Sequence, residues 1–458
     1  MAENSIQIAG EFRLETCKVL TTSGLTLDIR DITRSISVFE NIYSECISGT
    51  ITVADTTDVV NNGPIIGEEK LLLKLVTPQT NRTTDTTIDY TKTPLLLYKI
   101  GTQTGDGEKA NIITFHFTSQ EAYYNSTSLI SKSYNGKCSE ILKKILRDER
   151  YLRSSKKLRV EETSGSKKIV FPNLKPFQAI KLLSRQSKSK NFGGSPSYLF
   201  YETTKGYHYR SVDGLCSQKS VLSYAETTPD SINDRSGQKD ILLNLQSISS
   251  YTVNTPRDIV GNTYNGMYSS KHTIHDLYNK SVSTRTYNYH KDFDKDTHLN
   301  AQPLASQSID QITTKGISDY SNTINFVTIT SSGKAFDENS NYTFGSDNLG
   351  QIISRRHSRL RQLQNGISLN IEVPGNTFIQ AGDTIDITIG ASSTVTDRKN
   401  DPNLSGKFLI TNIRHDFVED KETKHTMLMT VIKDSTINQY PNGTVSYENK
   451  TKPEEITL

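Results

Sequence analysis

At 458 residues the chain is longer than one ordinary hydrophobic core can organise, and its length predicts about three or four domains. Apolar residues make up only 34%, but 53 basic and 50 acidic side chains balance each other and 22 Tyr and 15 Phe can seed several cores, which excludes a disordered polyelectrolyte. A net charge of +3 excludes a dedicated nucleic-acid binder. The opening MAENSIQIAGEFRLE has neither a basic nor a hydrophobic segment of the secretory kind. With no run of ~18 apolar residues, no membrane insertion is expected. Cys17, Cys46, Cys138 and Cys216 lie far apart without CxxC spacing and read as reduced core thiols of a protein that folds in a cytoplasm.

In chain order, residues 12–117 read as strands. LTLDIRDITRSISVFENIY and SGTITVADTT alternate apolar and polar residues, and EEKLLLKLVTP sets Leu71, Leu73 and Leu75 on one face. PLLLYKIG and NIITFHFTS around the turn-rich TQTGDGEKA predict a hairpin. After residue 118 the period changes. Cys138, Ile141, Leu142, Ile145 and Leu146 recur at helical spacing, with Lys143, Lys144 and Arg147 facing away. A second helix is predicted to open at Pro176 and to carry Phe177, Ile180 and Leu183 on one stripe. SYLFYETTKGYHYRSVDGL predicts two short strands around Lys205-Gly206, and ETTPDSINDRSGQKD a linker.

The chain also carries an internal repeat. NIYSECISGTITVAD (41–55) aligns with NTYNGMYSSKHTIHD (262–276), putting Asp55 over Asp276. IIGEEKLLLKLV (65–76) aligns with FIQAGDTIDITIG (378–390), putting Gly67 near Gly382 and matching the leucine triplet to Ile385, Ile387 and Ile389. LLLYKIG…NIITFHFTS aligns with KFLITNIRH…HTMLMTVIKDS. The expected fold is therefore mainly β with a smaller α+β part. It has two similar antiparallel β-barrel tube domains at 1–117 and at 237–276 with 351–435. An α+β domain occupies 118–236 between them, an inserted domain 277–350, and a C-terminal tail 436–458.

Three blocks then carry a family resemblance: ISVFENIYSECISGTITVADTTDVVNNGPIIGEEKLLLKLVTP (36–78), VFPNLKPFQAIKLLSRQSKSKNFGGSPSYLFYETTKGYHYRSVDGL (170–215), and LNIEVPGNTFIQAGDTIDITIGA with SGKFLITNIRHDFVEDKETKHTMLMTVIKDS (369–435). Their order resembles the central baseplate hub protein of T-even-like contractile-tailed bacteriophages. Residues 280–350 match that pattern least.

The resemblance implies a virion protein of the tail baseplate, assembled in the host cytoplasm. It implies a homotrimeric ring that adapts a six-fold tail tube to a three-fold central spike, with DNA passing in transit through its channel. The implied partners are the spike trimer, hexameric tube or tube-initiator proteins, the tape-measure protein and baseplate wedge proteins. Two alternatives stay open: the hub of a phage-like injection or secretion machine, and a host-surface carbohydrate binder. In secretion machines the hub is usually fused to its spike, and the absence of spike-like repeats before Leu458 favours the phage arrangement.

Site-like clusters are few. Arg355, Arg356, His357, Arg359 and Arg361 read as the solvated face of a short helix whose Ile353, Leu360 and Leu363 pack inward; channel lining or an acidic partner are the other readings. If a ring forms, this knot belongs at a subunit contact or on its outside, because a basic lumen would retain DNA. Lys156, Lys157, Arg159, Lys167 and Lys168 read as an exposed hairpin. His272, His275, His290 and His298 lack the carboxylate spacing of a metal site, and GGSPS lacks the Lys-Ser/Thr of a phosphate loop. With no GxSxG or HExxH, no catalytic, cofactor or metal residues are assigned, no cofactor is expected, and the protein is expected not to be an enzyme.

Overall fold

In a computed structural model, the described residues are 9–56, 58, 63, 65–78, 86–105, 111–226, 241–254, 258–277, 280–306, 315–330, 346–390 and 400–438 except 402 and 420–422. The expected linker after Glu226, the smaller part of the expected insert and most of the expected tail lie outside them.

The N-terminal half supplies six main strands: β1 (Arg13–Leu20), β2 (Thr33–Asn41), β3 (Ser48–Asp55), β4 (Lys70–Val76), β5 (Leu95–Gly105) and β6 (Asn111–Ser119). They neighbour one another in the order β2-β3-β6-β5-β4-β1, all antiparallel. Period-two alternation decides which way they face. Leu71, Leu73 and Leu75 of β4 are fully buried beside Cys17 and Val19 of β1, while the intervening lysine and leucine face the other way. Each such leucine contributes roughly 1.5–3 kcal/mol of burial.

Next comes an α+β segment. Helix α1 (Cys138–Arg147) buries the five apolar residues that its period predicts, and α2 (Pro176–Gln186) opens at proline and buries Phe177, Ile180 and Leu183. Both pack against the hairpin β7 (Tyr198–Thr203) and β8 (Gly206–Ser211), whose Tyr198, Phe200, Tyr207 and Tyr209 complete that core. A short helix α3 (Val212–Cys216) closes the segment.

The C-terminal half uses β9 (Ser250–Val253), then a long excursion containing β10 (Ser269–Asp276), β11 (Ser281–Asn288), β12 (Asn325–Thr330) and helix α4 (Ser346–Gln364). Strands β13 (Ile367–Pro374), β14 (Thr384–Thr388), β15 (Gly406–Glu419) and β16 (Thr423–Lys433) come after it. The neighbour order is β9-β13-β16-β15-β14, which repeats β2-β3-β6-β5-β4 strand for strand.

The protein is mainly β, but among the described residues the expected closed barrels are not present: both halves belong to one 15-stranded sheet. The reason lies in β15, whose 14 residues run past β14. Its N-terminal end pairs with β14 and its C-terminal end, Asn412 to Val418, pairs with β2 of the other half. A strand that bridges both halves leaves the sheet open.

One segment of the expected repeat is also corrected. Residues 269–276 do not occupy the place of 48–55; β10 pairs with β11 and β12 in a separate three-stranded sheet against α4. The place of β3 is taken by β13. The other two aligned segments fall on matching strands, β4 with β14 and β5–β6 with β15–β16.

Local geometry matches as well. A bulge interrupts β5 between Leu97 and Lys99 and β15 between Ile410 and Asn412. Just before each bulge, the Leu97 N–H donates to the Glu69 carbonyl at 2.8 Å and the Ile410 N–H to the Asp383 carbonyl at 2.9 Å. The turn into β4 contains Gly67 at φ 99°, and the turn into β14 contains Gly382 at φ 90°, conformations that favour glycine.

Candidate functional site

The seam between the halves is the first structural feature with functional content. Strands β2 and β15 run antiparallel from Asn41 opposite Asn412 to Ser35 opposite Val418. The Ser37 hydroxyl donates to the Asp416 carboxylate at 2.6 Å, and Arg414 on the same strand donates to Asp416 at 2.9 Å while lying over the Phe39 ring. The cores interlock here: Phe417 packs into the N-terminal half and Ile42 into the C-terminal half.

Where the seam meets the α+β segment, carboxylates hold the parts together. Glu40 of β2 is buried and accepts the Thr204 N–H and the Ala381 N–H, both at 2.7 Å, so one side chain ties three parts of the chain. Burial pushes its pKa up to about 7, against the opposing pull of those hydrogen bonds. Glu202 of β7 accepts from the Ile47 N–H at 3.0 Å and the Ser119 hydroxyl at 2.6 Å. Lys156 completes this joint by donating to Glu202 at 2.6 Å and to Glu121 at 2.8 Å. Lys156 is therefore a buried cation between two carboxylates, not part of an exposed hairpin. Lys157 and Arg159 do reach a cleft, of about 660 Å³, between this segment and the sheet. Lys167 caps α2 by donating to the Gln186 carbonyl, and Lys168 is exposed.

The basic knot on α4 is the largest departure from expectation. Arg359 is completely buried. Its guanidinium donates to Asp213 of α3 at 3.0 and 3.1 Å, to Asp434 at 2.7 Å and to the Thr297 carbonyl at 2.7 Å. His298 lies 2.9 Å from the same Asp434 carboxylate. Burial pushes the Asp434 pKa up, but His298 and Arg359 outweigh it and hold the group far below the usual carboxylate range. Arg355 donates to Asp296 at 2.7 Å and to the Gly193 carbonyl at 2.9 Å. The helix thus turns Arg355 and Arg359 inward and locks the excursion to α3 and to the end of the sheet. Leu363 is buried in the core of the C-terminal half and Leu360 packs against it, but Ile353 is only half-buried. The signal that sequence reasoning lacked was the set of acidic partners, because Asp213, Asp296 and Asp434 are remote in the chain.

The four histidines do not converge. His272 bonds Thr328 at 2.8 Å in the excursion sheet and His275 lies on the opposite face of β10. His290 sits between Ser318 and the Ala305 carbonyl, and His298 belongs to the Arg359 network. Gly193 and Gly194 take φ 51° and 70°, a turn that lines a cavity of about 520 Å³ with Lys188, Arg285 and Lys295.

No family model matches the sequence, and no curated protein matches it. Solved structures do. The tail protein from Neisseria meningitidis is similar with TM-score 0.51 at 10% identity, over 91% of this chain and 96% of its own. The 43 kDa tail protein of prophage MuSo2 from Shewanella oneidensis gives 0.50 at 9% identity, over 92% and 99%. An E. coli component of the type VI secretion system gives 0.42 at 9% identity, over 94% and 80%. The chain shares the fold of phage tail proteins along nearly its whole length.

Proposed function

We propose that this chain is the hub subunit of a contractile phage tail, a structural, non-enzymatic adaptor between the tail tube and the central spike. The observation that carries the reading is the repeated neighbour order β2-β3-β6-β5-β4 and β9-β13-β16-β15-β14 within one sheet. Two similar halves per chain let three chains present six near-equivalent surfaces to a six-fold tube while keeping three-fold symmetry for the spike. The shared fold with two tail proteins supports the same reading.

In this reading the N-terminal half and β9 with β13–β16 are the two tube units. The α+β segment lies between them in sequence, and the insertion spans 254–366, wider than the sequence suggests because it begins directly after β9. DNA passes through the ring in transit, and the tape-measure and wedge proteins are further contacts. The experiment is a density map of the purified particle. Density for this chain as a ring between the lowest tube ring and the spike supports the reading; its placement on a fibre or outside the tail axis overturns it.

A further inference from the structure

The cavity beside α4 has no part in the hub reading. Three parts of the chain wall it: the loop between α2 and β7, strand β11 with the turn after it, and α4. Four cations line its volume of about 520 Å³: Lys188 from the loop, Arg285 from β11, Lys295 from the turn and Arg355 from α4. Asp292 is the one carboxylate among its described lining residues. It already accepts the Lys295 ammonium at 2.6 Å and the Asn288 N–H at 3.0 Å.

The walls are held together by the chain itself. Arg355 donates to Asp296 at 2.7 Å, to the Gly193 carbonyl at 2.9 Å and to the Lys295 carbonyl at 3.1 Å. One guanidinium thus fastens both the loop and the turn to the helix. Within the loop, the Lys188 carbonyl accepts the Ser164 N–H at 2.8 Å, and the Ser189 N–H donates to the Ser195 carbonyl at 2.9 Å. The cations therefore stay close together although they repel one another. That crowding is felt at Lys188, whose pKa is lowered by burial and then by Arg355 and Arg285. Pro196, Ile352 and the buried Tyr287 also line the cavity and add apolar surface.

We propose that this cavity binds a phosphomonoester of nucleotide size, with Lys188 and Arg285 holding the phosphate and Pro196, Ile352 and Tyr287 receiving the organic group. An anion relieves the repulsion among the lining cations. Phosphate is favoured over a carboxylate because its three terminal oxygens can take guanidinium and ammonium donors from several directions at once. The volume falls in the range of pockets that enclose small organic ligands. Because the walls come from both the α+β segment and the excursion, a bound ligand stabilises their union. Nothing in this site depends on the hub reading.

Isothermal titration calorimetry of the full chain at low salt tests it, with adenosine monophosphate, inorganic phosphate and adenosine as probes. The expected result is saturable binding of one adenosine monophosphate per chain, weaker binding of inorganic phosphate and none of adenosine. Lys188→Gln and Arg285→Gln should each weaken adenosine monophosphate by about tenfold or more, the worth of one charge-assisted hydrogen bond. Lys143→Gln, on the exposed side of α1, should leave it unchanged. A second measurement needs no variant. Saturating adenosine monophosphate should protect Lys188 of the wild-type protein, but not Lys143, from acetylation by acetic anhydride, read by peptide mass spectrometry. No saturable binding of adenosine monophosphate, equal binding of adenosine, or an unprotected Lys188 overturns the site. An oligothymidylate without terminal phosphates that protects Lys188 as well as adenosine monophosphate does overturns the small-molecule ligand in favour of a nucleic-acid strand.

Discussion

At the scale of residues, the Arg359 network decides how the excursion is held. Arg359, Asp213 and Asp434 are all buried, so removing the guanidinium leaves two carboxylates uncompensated. Arg359→Met should cost about 3–5 kcal/mol, read as a lower denaturant midpoint, whereas Arg361→Met, on the partly exposed side of the same helix, should change it by less than ~0.5 kcal/mol. A second residue-scale test concerns His415 and His425, buried with ring nitrogens 3.2 Å apart. Burial lowers His415 from 6.5 to about 4, with Asp416 pulling the other way and Lys205 adding to the fall. The unfolded chain then binds a proton that the folded chain refuses between pH 6.5 and about 4, so stability is full above that window and is lost as pH falls through it. Relative to wild type, His415→Gln should therefore gain about 1.4 kcal/mol per pH unit on acidification across the window. Parallel stability curves for the two proteins would contradict this. Neither network was legible in the sequence. Helical spacing identified the arginines of α4 but not the acids that face them, because contact between residues 213, 359 and 434 is a product of topology alone.

At the scale of elements, period and punctuation carried far. The apolar stripe of α1, Pro176 at the start of α2 and the hairpin β5–β6 fall where composition and spacing place them. The repeat was legible where burial enforces it: Leu71, Leu73 and Leu75 and their counterparts Ile385, Ile387 and Ile389 are all buried. It was misread where identities were counted in place of strand positions. Asp55 and Asp276 share a letter, but Asp276 ends a strand of the excursion, and the true counterpart of β3 is β13, which follows the excursion in the chain. Leu73→Asp and Ile387→Asp should each bury an unpaired carboxylate and cost several kcal/mol, seen as a lost or lowered unfolding transition. Glu69→Ala should cost about 1–3 kcal/mol, because the Glu69 carboxylate accepts the N–H groups of Ile66, Gly67 and Glu68 at 2.7–3.0 Å. Protection of those amides from hydrogen exchange should fall in the variant.

At the scale of the molecule, the expectation of two barrels gave way to one open sheet because β15 is long enough to serve both halves. Alternation along a strand reports which face is buried and is silent on which strand lies beside it. That is why two cores were legible and their common seam was not. In the proposed hub, halves joined edge to edge would serve as consecutive units of a ring. The central claim is that this ring holds three chains and seats a three-fold spike. Multi-angle light scattering of the protein co-expressed with its spike measures that directly. The account predicts a 3:3 complex; a stable 1:1 complex would contradict it.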